Sequence, residues 1–76
     1  MMALIFTEEG EEFEVVSIEG GVNVFKKLKE MGIYPGVKIK VISVSNGPVI
    51  IGLGNTRIAI GRGIASKIMV KEIEKL

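Results

Sequence analysis

The 76-residue sequence contains no histidine, no cysteine, no tryptophan and no aspartate. Without His or Cys the chain has no imidazole base, no thiol nucleophile, no imidazole or thiolate metal ligand and no disulfide. Glutamate, lysine, one tyrosine and the hydroxyls are all that remain for catalysis, so no catalytic residue is assigned and no cofactor is expected. Aromatics are scarce, three Phe and one Tyr, which leaves no stacking platform of the kind RNA binders use. Excess charge is scarce too. Ten Lys/Arg stand against nine acidic residues, and a net charge of +1 gives no electrostatic footprint for nucleic acid. Long apolar runs are missing. Nothing approaches the roughly 20 apolar residues that span a bilayer, so no direct membrane insertion is expected. Met1 to Phe6 is too short for a signal-peptide core, and acidic residues follow at once. The reading is a soluble, cytoplasmic protein, and the lack of cysteine is compatible with a reducing compartment.

What is plentiful is glycine, ten residues in a chain that is 47% apolar and 25% charged. That composition belongs to a globular domain with many tight turns. The length suits one domain over residues 1–76. Met1 to Gly10 reads as a lead-in arm, with Leu4, Ile5 and Phe6 covering the barrel mouth. Glu12 to Ile18 is a strand whose apolar set moves from Phe13 and Val15 to Val16 and Ile18, a face switch that predicts a bulge. Val22 to Met31 is helical, with Val24, Leu28 and Met31 on one face and Phe25 widening it. Val37 to Val44 is the clearest strand and switches face after Val41. Ser45-Asn46-Gly47-Pro48 is turn chemistry, with Asn-Gly expected to supply positive φ. Val49 to Leu53 and Thr56 to Ile60 form a hairpin about Gly54-Asn55. Gly61 to Ser66 is long enough only for a helical turn, and Lys67 to Glu72 is the last strand. Ile73 and Leu76 are expected to pack as a tail. The fold class is mainly β: a small, partly open SH3-like barrel of about five strands, with one helix between the first two and a helical turn before the last.

The stretch Lys27 to Lys40 organises the rest. Gly32 sits where a helix-terminating C′ glycine belongs, with Leu28 at C3 and Ile33 at C″ placed for the apolar contact of a Schellman stop. Tyr34-Pro35-Gly36 is a stiff turn. It is expected to hold Met31, Ile33 and Tyr34 out on a corner, where a tyrosine is a common interface anchor. The helix face reads as core, or in part as the wall of a groove that receives a partner segment. Lys26, Lys27, Lys29, Lys38 and Lys40 flank the corner. The run Glu8, Glu9, Glu11, Glu12 and Glu14 has the oxygen chemistry of a hard-cation site, but a solvated turn accounts for it as well, and no metal site is assigned. Gly61-Arg62-Gly63 lacks the lysine and serine of a phosphate loop and reads as a tight turn.

Five blocks in order carry a family resemblance: Val15-Val16-Ser17-Ile18-Glu19-Gly20-Gly21, Leu28-Lys29-Glu30-Met31-Gly32-Ile33-Tyr34-Pro35-Gly36, Gly47-Pro48-Val49, Arg57-Ile58-Ala59-Ile60-Gly61-Arg62 and Ala65-Ser66-Lys67-Ile68-Met69-Val70. From about Phe13 to Val70 the chain resembles the FeoA family, small cytoplasmic proteins of ferrous iron transport. That resemblance implies an SH3-like barrel without catalytic residues. It also implies a partner, the cytoplasmic part of the FeoB membrane transporter with its G domain, and a supporting or regulatory role. The same fold occurs at the C-terminus of metal-dependent repressors of the diphtheria-toxin-repressor type. No DNA-binding helical domain precedes it here, so a stand-alone module is expected. Many family members carry arginine where this chain has Tyr34. The surface assigned to the partner is Leu28, Met31, Ile33, Tyr34, Pro35, Lys38 and Arg62, with Gly32, Gly36, Gly47 and Gly54 as structural turns. Two rivals stand beside this reading. One is a small RNA-binding barrel. The other is a metal-sensing or GTPase-regulating module using the Glu8 to Glu14 run, or an exposed Arg57 or Arg62. Self-association through an open sheet edge is also compatible with the sequence.

Overall fold

A computed structural model of the chain describes residues 1–73. Its elements are β1 (Met2–Ala3), a 3-10 turn (Leu4–Phe6), β2 (Glu12–Ile18), α1 (Val22–Glu30), β3 (Lys38–Ser43), β4 (Val49–Leu53), β5 (Thr56–Ile60), α2 (Arg62–Ala65) and β6 (Ile68–Glu72). Every pairing is antiparallel, and the six-stranded sheet runs β1-β6-β2-β3-β4-β5. This is the mainly β, SH3-like architecture read from the sequence, with one strand added. Met2 and Ala3 pair with Val70 and Met69. Two residues are too few to show the period of two that identifies a strand.

Both face switches are bulges. Along β2, Val15 pairs with Val70 and Ser17 with Met69, so Val16 is the extra residue. Along β3, Val41 pairs with Ile51 and Ser43 with Ile50, so Ile42 is the extra residue. Each bulge bends its strand and raises the local twist, which curls a six-stranded sheet around one core. Phe13, Val15, Ile39, Val41, Val49, Ile51, Ile60, Ile68 and Val70 fill that core from the inner faces of the strands.

No backbone pairing joins β5 to β1. The seam between them is covered by side chains: Leu4 from the 3-10 turn and Ala65 from α2 are both fully buried where those elements meet. The arm thus does part of what the sequence suggested. Leu4 closes the mouth and Ile5 packs against the core, whereas Phe6 is 73% exposed. The buried Thr7 hydroxyl donates to the Leu4 carbonyl at 2.7 Å, so a polar side chain enters this region fully satisfied. Ile73 is half-buried, and Leu76 lies outside the described residues.

The turns divide. Gly54 has φ +60 and is followed by Asn55 with negative φ, the pattern of a type II′ hairpin with glycine first. The Asn46-Gly47 expectation fails: neither residue has positive φ, and Ser45 to Gly47 form a bend before Pro48. With the bulge at Ile42, the β3–β4 connection is wider than a two-residue hairpin, and no left-handed residue is needed to reverse it.

Candidate functional site

Helix α1 starts after Gly21, whose φ of +90 and absent side chain make it an N-cap without a capping hydrogen bond; Asn23 lies inside the helix. It ends at a complete Schellman motif. The Gly32 amide donates to the Lys29 carbonyl at 2.9 Å, and the Ile33 amide to the Leu28 carbonyl at 2.8 Å. Gly32 has φ +91 and faces Leu53, whose Cδ2 would lie 2.9 Å from any Cβ placed there. The chain then turns through Tyr34-Pro35-Gly36-Val37. Val37 donates back to the Tyr34 carbonyl at 3.1 Å and Gly36 has φ +98, the type II arrangement with proline second and glycine third. Two bonds of 2.8 Å fasten this turn to the middle of β2: Gly36 donates to the Val15 carbonyl, and Val15 donates to that of Val37. The corner is as stiff as the sequence implied.

What the corner exposes differs from the expectation. Ile33 is 0% exposed and Leu28 3%, so both belong to the core: Ile33 offers a partner no surface, and Leu28 only the edge that reaches the groove described below. The reason is the Schellman stop itself, which folds the C″ side chain back beneath C3. Met31 is 37% exposed and Tyr34 45%, and Pro35 is exposed. Val24 and Phe25 are half-buried, so α1 is anchored mainly by Leu28 and leaves part of its apolar face open.

That open face lines a groove of about 380 Å³ between α1 and the β5–α2 segment. Val24, Leu28 and Met31 form one wall; Ala59, Ile60 and Ile64 form the other. Among the described residues Lys27 is its one charged lining residue. The second wall was not identified from sequence. Ala59 and Ile64 lie about thirty positions from the helix they face, and only the sheet order brings them there.

The remaining assigned residues are spread over the surface. Tyr34 and Pro35 do not line the groove. Lys38 lies in a second, polar concavity with Lys40, Thr56 and Arg57 on the outer face of β3, β4 and β5. Arg62 neighbours the groove wall through Gly61, but its guanidinium donates to the Ser45 carbonyl at 3.0 Å. The lysines are therefore divided, Lys27 in one concavity and Lys38 with Lys40 in the other, and they form no single rim around Tyr34. The acidic run is held apart. Glu9 accepts from the Val44 amide at 3.3 Å, Glu14 lies 3.9 Å from the Lys71 ammonium, and among the described residues no three carboxylates converge on a metal position. Helix α2 has only four residues and neither Gly61 nor Gly63 has positive φ, so this segment is a tight turn between strands.

A profile of the FeoA domain matches residues 2–72. A protein of Methanocaldococcus jannaschii described as a candidate Fe(2+) transport protein A is 50% identical over 74 residues, which cover 97% of this chain and 90% of that one. The crystal structure of an iron uptake regulatory protein (FeoA) superposes with a TM-score of 0.86 at 42% identity, covering 95% of this chain and 96% of that one. A manganese-dependent transcriptional repressor shares the fold at 16% identity, with a TM-score of 0.83 over 93% of this chain and 41% of the repressor.

Proposed function

The chain belongs to the FeoA family, and from that premise we propose that it is a non-enzymatic accessory protein of ferrous iron transport, acting by binding the cytoplasmic part of a FeoB-type transporter. The observation that carries this reading is the groove between α1 and β5–α2. It is apolar on both walls, wide enough for a short segment, and bounded by elements that the Schellman stop and the sheet hold at fixed spacing. Apolar walls with Lys27 as the only charge suit an amphipathic segment with an acidic flank. The preorganised walls favour binding because little has to be ordered on association. Tyr34 and Pro35, exposed on the corner that follows α1 and outside the groove lining, offer a secondary contact.

The experiment is a calorimetric titration of the chain against the transporter's purified cytoplasmic portion. Met31→Asp and Ala59→Asp place a charge on each groove wall at partly exposed positions that spare the core. Each is expected to weaken binding at least about tenfold, or about 1.4 kcal/mol, while Tm stays near that of the parent. Tyr34→Ala is expected to weaken it less. Full affinity in both Asp variants places the contact elsewhere, and no heat from the parent chain rejects the transporter as partner. A second copy of this chain as occupant of the groove would appear as concentration-dependent self-association lost in the same two variants.

A further inference from the structure

We infer that the outer face of β3, β4 and β5 carries a phosphate-binding site centred over Gly52, between Lys40 and Arg57. The register places these three side by side, with Lys40 opposite Gly52 on β3 and Arg57 opposite Gly52 on β5. Lys40 projects outward because its neighbours Ile39 and Val41 are buried, Gly52 faces the same way beside buried Ile51, and Arg57, exposed and paired with Gly52, shares that face. With neighbouring strands about 4.8 Å apart, the two cationic residues stand about 10 Å apart across the glycine, close enough for both heads to reach one anion between them. Lys38, two residues from Lys40 on the same face, lines the same concavity.

Nothing in the fold demands glycine at position 52. Its φ is not positive, and a Cβ there would meet Ile42 Cδ1 at 3.5 Å and Lys40 Cβ at 3.8 Å, ordinary contacts. A glycine inside a strand costs stability and marks a bulge, a bend or a place where another group approaches closely. The bulge of this ladder is one strand over, at Ile42, and β4 keeps unbroken register with β5 on both sides of Gly52, which favours the third explanation. The missing side chain opens a slot between two cations.

The charge balance defines the ligand. Lys38, Lys40 and Arg57 line the concavity with one carboxylate, Glu12, which sits across Lys40 on the side away from Gly52; Glu14, opposite Lys38, lies outside the lining and 3.9 Å from the Lys71 ammonium. None of the three cations is in an ion pair among the described residues. Three unpaired cations call for an anion with two or more charges, and a guanidinium fork with two ammonium groups matches the oxygens of a phosphate. Thr56 and Asn55 add hydrogen-bonding groups at the rim. No aromatic side chain lines the concavity, so it has nothing on which to stack a base. The volume, about 410 Å³, accepts a diphosphate.

The source of the phosphate, an inorganic anion or the ester of a nucleotide, is separated by the test. The full chain is titrated with inorganic pyrophosphate and, in parallel, with a nucleoside diphosphate, while backbone amide resonances are followed. Saturable shifts confined to residues around Gly52 and Arg57 are expected, with the two ligands binding within about threefold of each other. Gly52→Val fills the slot at a position where a β-branched residue suits a strand, so Tm is expected to hold or rise while pyrophosphate affinity falls at least tenfold. Lys40→Gln with Arg57→Gln is expected to produce the same loss. The absence of saturable shifts in the parent, or undiminished binding by Gly52→Val, overturns the site. A nucleoside diphosphate binding more than tenfold tighter than pyrophosphate overturns the assignment to phosphate alone.

Discussion

The amide of Ile33 donates to the carbonyl of Leu28 at 2.8 Å, and both side chains lie in the one core. This six-to-one bond joins the end of α1 to the start of the corner, so the helix position and the corner position are a single degree of freedom. The proposed groove depends on it, because Leu28 and Met31 form its helical wall.

Gly32→Ala tests the stop directly. The residue must hold φ +91 and place a Cβ 2.9 Å from Leu53 Cδ2. Left-handed backbone costs a residue with a Cβ roughly 1–2 kcal/mol, and Leu53 has to move as well. Gly36→Ala carries the same backbone cost at φ +98, with open space around its Cβ. Urea unfolding is expected to show Gly32→Ala as the more destabilised of the two. Equal losses would mean that Leu53 relaxes freely.

Leu28 and Met31 lie on the same helix face and differ in burial. Leu28→Ala empties a site that is 3% exposed and is expected to lose about 2–5 kcal/mol in denaturant unfolding. Met31→Ala, at 37% exposure, is expected to change stability by less than about 1 kcal/mol. Comparable losses at both positions would show that α1 is packed more uniformly than its burial indicates.

Thr7→Val removes the hydroxyl that donates to the Leu4 carbonyl at 2.7 Å while preserving shape. The carbonyl keeps the Thr7 backbone amide at 3.2 Å, so it is not orphaned. The expected loss is about 0.5–1.5 kcal/mol, measured by thermal unfolding. A gain in stability would mean that the site prefers an apolar group to the bond.

Much of this molecule was legible before its structure. The two bulges were visible because Val16 and Ile42 break an alternation that is otherwise regular, and the Schellman stop because Gly32, Leu28 and Ile33 occupy its fixed offsets. Ile33 was misplaced by the same local logic. Its C″ position already predicted the contact with Leu28, but its exposed neighbours Tyr34 and Pro35 drew it onto the corner as well, and one side chain cannot both pack under the helix and face a partner. Gly47 was misjudged because Asn-Gly signals a left-handed turn only where the loop is tight. The far wall of the groove and the row Lys40-Gly52-Arg57 lay beyond local reasoning altogether, because register between distant strands creates both.

The sheet order has a consequence for how the domain is made. β6 lies between β1 and β2, so the most C-terminal of the described strands is the one that joins the first two. Until Ile68 to Glu72 has docked, β2 can pair only with β3, and its other backbone edge stays unpaired. The meander β3–β4–β5 closes through local turns and has no such delay. A chain in which β6 has not yet docked therefore carries an adhesive edge. The acidic side chains of Glu12 and Glu14, spaced along that strand, give it the charge that keeps such an edge from recruiting a neighbour.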